Sequence, residues 1–196
     1  MRGLAGHREL HGLRHDGDVA RSSGEVELSM EDLRVVARFA TEAAQEVLPL
    51  FERVHADDPR PRAAVEAARA FGGGARRTNL QRVTAVDAHR AAKEAARDDA
   101  RHAALAAGDA AAAAYLHPIA KATQVGHILR AAAHAARATE LAAGGDSHVG
   151  DRYVEQARAR ASAALRAVLG RYPPAADGSS RVAELMKALD TAIRAG

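Results

Sequence analysis

The chain has no cysteine and no tryptophan, and aromatic residues make up only 3% of its 196 residues. Without cysteine it can form neither a disulfide framework nor a zinc site with thiolate ligands. The N-terminus lacks the apolar stretch of a secretory signal. The longest uncharged run, near residues 110–120, is too short to span a bilayer and contains His117 and Pro118. These absences predict a soluble cytoplasmic protein with no membrane partner.

A large excess of charge of one sign is also missing. The formal net charge is +3 and the sequence pI is about 9.7. Of the 28 basic residues 25 are arginines, and most of them stand between acidic residues. No arginine-rich run with interleaved aromatic residues occurs, so the composition disfavours nucleic-acid binding.

Alanine, in contrast, is abundant, with 51 copies. It is the best helix former, and its small side chain lets packed helices approach closely. No segment alternates with period two, and no tight turn joins two β-rich runs. The sequence therefore predicts an all-α fold, a single-domain Ala-rich bundle of six to seven helices. Short connections predict that the helices are mostly antiparallel.

Two regions differ in their patterning. Residues 1–24 are rich in Gly, Arg and His and show no helical or strand period, which predicts a disordered N-terminal extension. Residues 25–196 are predicted to form the helical domain. Its first helix has a clear start signal, because Ser29 can cap it and Asp32 stands three residues later.

Apolar spacing and the Pro and Gly stop signals place the remaining helices. Asp57 or Asp58 is predicted to cap the second helix, and Asp109 the helix after Gly108. His117-Pro118 is predicted to break or kink that element. The predicted helices span about 29–54, 61–71, 78–107, 109–143 with this interruption, 149–171 and 180–194.

One stretch of the predicted hairpin, AYLHPIAKATQVGHILRAAAHAARATEL, combines polar side chains with alanine. The candidate polar cluster consists of His117, Gln124, His127, His134, Arg137 and Glu140. Three histidines could ligate zinc. However, there is no HExxH motif, and no two of these three histidines are four residues apart, so satisfied core or boundary histidines are favoured. Arg137 and Glu140 are three apart and are interpreted as a structural ion pair. No metal and no cofactor is predicted.

The other polar motifs are interpreted as structural features. The turn 71–79 contains three glycines and two arginines and could hold an anion, but a flexible linker is favoured. The acidic pairs Asp57-Asp58 and Asp98-Asp99 are interpreted as a helix cap and a solvated face. His89 and His102 lie thirteen apart on what is predicted as one helix and are not expected to converge. No P-loop, GxSxG elbow or Ser-His-Asp order occurs, so no catalytic residue is predicted.

A longer ordered pattern resembles a known family. The pattern consists of LSMEDLRVVARFATEAAQEVLPLFE, DDPRPRAAVEAARAF, RTN and the stretch from Ala114 to Leu141. It is similar to the immunity proteins of bacterial polymorphic toxin systems, specifically the all-helical group described as immunity-five-like. The resemblance covers about 26–172. It implies a protein that binds and neutralises a cognate toxin and has no catalytic residues.

Two functions other than toxin neutralisation are alternatives. Chains with a similar pattern are also labelled as an exonuclease subunit, which suggests a nucleic-acid-associated or exonuclease-accessory helical protein. The chain has neither a Walker A loop nor coiled-coil heptads to support that label. The other alternative is a histidine-based metallohydrolase, which would contain metal in stoichiometric amounts.

Overall fold

Eight α-helices build the domain in the computed structural model, which describes residues 24–196. They are α1 Met30–Glu52, α2 Arg60–Gly72, α3 Asn79–Glu94, α4 Asp98–Ala112, α5 Val125–Ala142, α6 Ser147–Arg160, α7 Ala163–Gly170 and α8 Arg181–Ala195. The described residues form no strand, only an isolated antiparallel bridge between Glu25 and Ile119. The all-α, single-domain prediction is confirmed, with one helix more than the upper expectation.

The start of the domain follows the predicted signal. The Ser29 hydroxyl accepts a hydrogen bond from the Asp32 backbone, and the Asp32 carboxylate accepts one from the Ser29 backbone. This reciprocal capping satisfies two amide donors that a helix start leaves without partners. The predicted disordered extension, residues 1–24, lies outside the described residues except for Gly24.

The centre of the bundle is formed by α4 and α5. Helix α4 contacts α1, α2, α3 and α5, and α5 also contacts α1, α6 and α8. His102 faces His134 whereas Asp109 faces Arg130, so α4 and α5 run antiparallel. The α4 face in the core is almost entirely alanine, with Ala100, Ala103, Ala104, Ala106, Ala107, Ala110 and Ala111 fully buried. Such small side chains allow close helix packing.

The single helix predicted over 78–107 is wrong, because two helices occupy this region. The backbone is extended at Ala95 and Arg97, between α3 and α4. Asp98 and Asp99 stand in the first turn of α4, where the helix dipole favours negative charge. The Asp99 carboxylate also accepts two hydrogen bonds from Arg97, at 3.0 and 2.7 Å. The acidic pair therefore marks a helix start instead of a solvated face.

The predicted helix end at Gly108 and cap at Asp109 are also wrong. Both residues are buried inside α4. Gly108 stands where α3 approaches α4, and a Cβ there would lie 2.5 Å from Nε2 of His89 and 3.0 Å from the carbonyl oxygen of Ala85. Glycine is needed here for close approach, and it does not end the helix.

The helix predicted over 149–171 is likewise divided. Ala161 is extended, and the Ser162 hydroxyl accepts a hydrogen bond from the Leu165 amide at 3.1 Å, which caps α7. The last helix begins at Arg181, within one residue of its predicted start, and the Ser180 hydroxyl caps it. The second helix differs slightly, because Pro59 occupies its cap position while Asp58 instead binds the Arg60 amide and guanidinium.

The break at His117-Pro118 is confirmed. After α4 the chain makes a 3₁₀ turn at Ala113–Tyr115, continues without helix, and makes a second 3₁₀ turn at Ala122–Gln124 before α5. The new helix, α5, begins only at Val125, so Pro118 does not lie in its first turn. Within residues 24–196 there is no helix with the length and apolar character needed to cross a membrane.

Candidate functional site

The six polar residues predicted as one cluster lie at three separate places along α5. Gln124 directly precedes the helix and Glu140 lies sixteen residues later. At 1.5 Å per residue these two positions are about 24 Å apart along the helix axis. The three places hold His117, Gln124 and His127 at the N-terminal end, His134 in the middle, and Arg137 and Glu140 at the C-terminal end.

At the N-terminal end the contacts hold the loop that leads into α5. Gln124 Oε1 accepts a hydrogen bond from the His117 amide at 3.0 Å, and the Tyr172 hydroxyl donates to the His117 carbonyl at 2.9 Å. The rings of His117 and His127 meet edge to face, with their centroids 6.3 Å apart. Burial lowers the pKa of His127, and the charge of Arg130 lowers it further.

At the C-terminal end Glu140 is completely buried and saturated with hydrogen bonds. Its carboxylate accepts from Arg137 at 2.9 Å and from Arg181 of α8 at 3.0 and 2.5 Å. The hydrogen bonds to Glu140 raise the pKa of Arg181. On α6, Gly150 makes room for this carboxylate, because a Cβ there would overlap Oε1. The Glu140 carboxylate thus links α5, α6 and α8.

In the middle of α5, His134 pairs with a histidine of α4. The Nδ1 atoms of His134 and His102 are 2.8 Å apart. A hydrogen bond at this distance requires that one ring nitrogen donates and the other accepts. Burial lowers the pKa of each of the two histidines to about 4. The pair is therefore uncharged near neutral pH.

Next to this pair lies a carboxylate that lacks hydrogen-bond donors. Asp109 is only 6% exposed, and its Oδ2 atom is buried without a hydrogen-bond partner. Nε2 of His134 is 3.6 Å from Oδ2, while Nε2 of His89 and Nη1 of Arg130 are 3.4 and 3.9 Å from Oδ1. None of these contacts is a hydrogen bond. A buried carboxylate oxygen without a donor is rare and destabilising.

Asp109 lines a groove of about 400 Å³ between α3, α4 and α5. The groove is hereafter the Asp109 groove. Its other polar lining residues are His89, Lys93, Arg101, Arg130 and His134, and Leu105 adds an apolar side. Cations thus surround the groove while a carboxylate lies buried within it.

Two glycines inside helices shape this groove. A Cβ on Gly108 of α4 would overlap the ring of His89, and a Cβ on Gly126 of α5 would overlap the guanidinium of Arg130. Each glycine lets a groove side chain lie against the helix backbone. Glycine in a helix interior is destabilising by roughly 0.5–1 kcal/mol relative to alanine, so Gly108, well inside α4, has a local cost that this arrangement explains.

Because the chain folds back at residues 95–97, His89 and His102 lie on neighbouring helices, where they contact different residues. Nε2 of His89 is 3.4 Å from Asp109, and Nδ1 of His102 is 2.8 Å from Nδ1 of His134. Asp109 and Arg130 were not predicted as site residues. A signal for Asp109 existed in the sequence, since it is the single charged residue between Leu105 and Leu116.

The other candidate motifs have local roles. In the turn that joins α2 to α3, the carbonyls of Gly72 and Gly74 accept hydrogen bonds from Arg38 and Arg34 of α1. This geometry fits the predicted linker, because its carbonyls, and not amides, face the charged groups. No set of three or more histidine, aspartate or glutamate side chains in the described part of the chain is arranged to hold a metal ion.

The outer face of α3 carries an apolar stripe. Leu80, Val83 and Val86 follow each other at intervals of three and are 53, 47 and 43% exposed. On the opposite face of the same helix, Ala88 and Ala92 are buried in the core. The exposed stripe is therefore not part of the folded core and is available to another molecule.

One comparison with known proteins gives a match. A family model described as "Imm-5 like putative immunity protein" matches residues 27–167, more than half of the chain. The matched segment extends from just before α1 into α7 and includes the Asp109 groove, the α3 stripe and Glu140. No curated protein and no solved structure matches the chain.

Proposed function

Because the chain belongs to the Imm-5-like family of immunity proteins, we propose that it binds a cognate protein toxin and neutralises it without catalysis. The family match over residues 27–167 carries this proposal, and the resemblance in the sequence agrees with it. The proposed place of action is the cytoplasm of a bacterium, where the toxin would otherwise act. No cofactor or metal takes part in the proposed function.

The packing of the bundle supports a binding role. A protein that blocks a toxin needs a surface that is formed before the toxin arrives, since ordering on contact reduces affinity. The alanine faces of α4 and α5 are fully buried and give the surface helices a rigid support. Protection requires tight binding, and nanomolar affinity corresponds to about 12 kcal/mol.

The nucleic-acid alternative has less support. Many arginines are already engaged with carboxylates of the same chain, for example Arg60 with Asp58, Arg171 with Asp32 and Arg181 with Glu140. An arginine held in this way is less available for a phosphate. Binding to nucleic acid would moreover weaken steeply with added salt, which gives a direct measurement to separate the two functions.

The test uses the product of the gene next to the one that encodes this chain. Expression of that product in a bacterial host is expected to stop growth, and co-expression of this chain is expected to restore it. The two purified proteins are expected to elute together as a stable complex, and an unrelated helical protein serves as the control. The proposal fails if the neighbouring product is neither toxic nor bound. It also fails if the purified chain cleaves DNA after repurification and chelator treatment.

A further inference from the structure

We propose that the Asp109 groove, together with the apolar stripe of α3, is the surface that contacts the toxin, and that it accepts an acidic segment of that partner. This inference rests on the proposed function and deepens it by placing the interface. It is carried by the shape of the groove, the unpartnered carboxylate, the surrounding charges and the adjoining apolar stripe.

The groove is built at the expense of helix stability. Gly108 and Gly126 stand in the interior of α4 and near the start of α5, and alanine would favour both helices more. Each glycine makes room for one groove side chain, His89 or Arg130. Gly108 also allows the close approach of α3 to α4, since a Cβ there would lie 3.0 Å from the carbonyl oxygen of Ala85. Both glycines therefore affect where the polar groups of the groove lie.

Oδ2 of Asp109 is a buried hydrogen-bond acceptor that can be satisfied by a donor from a bound partner. The three nearest nitrogen atoms lie 3.4 to 3.9 Å from the carboxylate and leave Oδ2 without a hydrogen bond. An N–H or O–H group of a partner that enters the groove would satisfy this oxygen. Satisfying a buried acceptor recovers free energy that the unbound protein lacks.

The charges around the groove and on α3 favour an acidic partner. Lys93 makes no ion pair with any described residue, and Arg130 is 45% exposed and lies 3.9 Å from its only carboxylate. The cations on these surfaces are Arg82, Arg90, Lys93, Arg101 and Arg130, whereas the carboxylates are Asp87, Glu94, Asp98 and Asp109, and Glu94 is paired with Arg60 of α2. The positive excess attracts a negatively charged surface and accelerates its approach.

The apolar stripe continues into the groove. Val86, His89 and Lys93 are separated by three and four residues, so they follow one another along the same side of α3. Val86 belongs to the stripe, and the other two line the groove. A contiguous exposed apolar patch with a polar rim is typical of a protein interaction site. The stripe and the groove therefore form one surface.

The chemistry of the expected partner segment follows from this surface. Its apolar side chains cover Leu80, Val83 and Val86. Its carboxylates face Lys93 and Arg130 at the groove. One N–H or O–H group reaches Oδ2 of Asp109.

The test measures the affinity of charge variants for the product of the neighbouring gene. Lys93→Glu reverses one exposed charge in the groove and is expected to raise Kd at least tenfold. Arg152→Glu is the matched control, because it makes the same change of net charge at an exposed position of α6, which packs on α5 and α8. The control is expected to stay within about twofold of the wild type at equal ionic strength.

A second variant, Asp109→Ala, tests the buried acceptor because it removes both carboxylate oxygens and keeps a strong helix former in α4, with the melting temperature as the check of folding. It is also expected to raise Kd at least tenfold. Unchanged affinity in either groove variant, or an equal loss in Arg152→Glu, overturns the proposed surface while the toxin-binding function stands. If the wild type does not bind at all, the proposed function fails and the surface with it.

Discussion

Glu140 and Asp109 are both buried carboxylates on the two central helices, yet their surroundings are opposite. Glu140 accepts hydrogen bonds from two arginines at 2.5 to 3.0 Å. Asp109 has three nitrogen atoms near it, and none donates a hydrogen bond to it. Burial alone therefore does not identify the role of a carboxylate. A saturated carboxylate crosslinks the fold, whereas an unsaturated one leaves a place for an incoming group.

The largest expected effect comes from removing the saturated carboxylate. Glu140→Ala leaves Arg137 and Arg181 without their buried partner, and breaking such a pair typically destabilises a protein by about 3–5 kcal/mol. We expect a melting temperature lower by roughly 10 °C, measured by circular dichroism.

The matched variant is Asp109→Asn, which removes a charge without breaking a hydrogen bond. Its free energy of unfolding is expected to stay within about 1 kcal/mol of the wild type. Equal destabilisation by the two variants would contradict the contrast between the two carboxylates.

A second expected effect is a loss of stability in mild acid, caused by the histidine pair beside Asp109. Burial lowers the pKa of His102 and His134 to about 4 in the folded chain, compared with an ordinary value of 6.5. Arg101 and Arg137 also lower the pKa of His102, whereas Asp109 opposes the shift in His134. Above pH 6.5 both rings are neutral in the folded and unfolded chains, so their contribution is complete.

As the pH falls from 6.5 towards 4, the unfolded chain takes up protons that the folded chain does not. The free energy of unfolding should therefore decrease, by up to about 1.4 kcal/mol per pH unit for each histidine. Urea unfolding at about pH 7 and about pH 5 measures this slope. His134→Gln should flatten it, whereas His148→Gln at an exposed position of α6 should not. An identical slope in both variants would show that other groups cause the acid sensitivity.

The smallest effect concerns the space beside Glu140. Gly150→Ala places a Cβ on the carboxylate that α5 and α8 share, and overpacking of this kind destabilises by about 1–3 kcal/mol. Gly170→Ala is the control, because a Cβ at that position in α7 meets no atom within 4 Å. The control should be neutral or slightly stabilising, since alanine favours helix. Chemical unfolding measures both, and a neutral Gly150→Ala would mean that the Glu140 carboxylate can shift.

Local signals predicted some helix starts and missed others. The Ser29 capping box lies where the pattern placed it, because a hydroxyl that binds a backbone amide acts within a few residues. The last helix also begins within one residue of its predicted start. The break at His117-Pro118 was equally local. The helical class followed from the abundance of alanine and the lack of alternating segments.

The two missed helix breaks have a different origin. Ala95 and Ala161 favour helix by themselves, but the chain is extended there because α4 folds back against α3 and α7 packs on α1 and α8. Tertiary packing overrides local propensity at such positions. Ser162 and the Asp98-Asp99 pair are residue types that favour a helix start. The sequence on both sides of them keeps a helical pattern, so the breaks before them were not predicted.

The candidate site was less predictable than the fold. The polar residues on α5 were found, but grouping them by sequence proximity joined places that the helix separates. Asp109 and His89 meet only because α3 folds back on α4. The spacing of residues within one helix cannot predict a contact between two helices. The Glu140 partner Arg181 is 41 residues away and was equally hidden.

Arg181 lies beyond the segment that the family model matches, yet it binds Glu140 inside that segment. The family model matches the chain as far as residue 167, but α8 begins later and supplies both Arg181 and the buried side chains of Leu185, Leu189 and Ile193. A polypeptide that stopped at residue 167 would contain Glu140 without its main cation and would expose the apolar face that α8 covers. The segment that the family model matches is therefore shorter than the unit that folds.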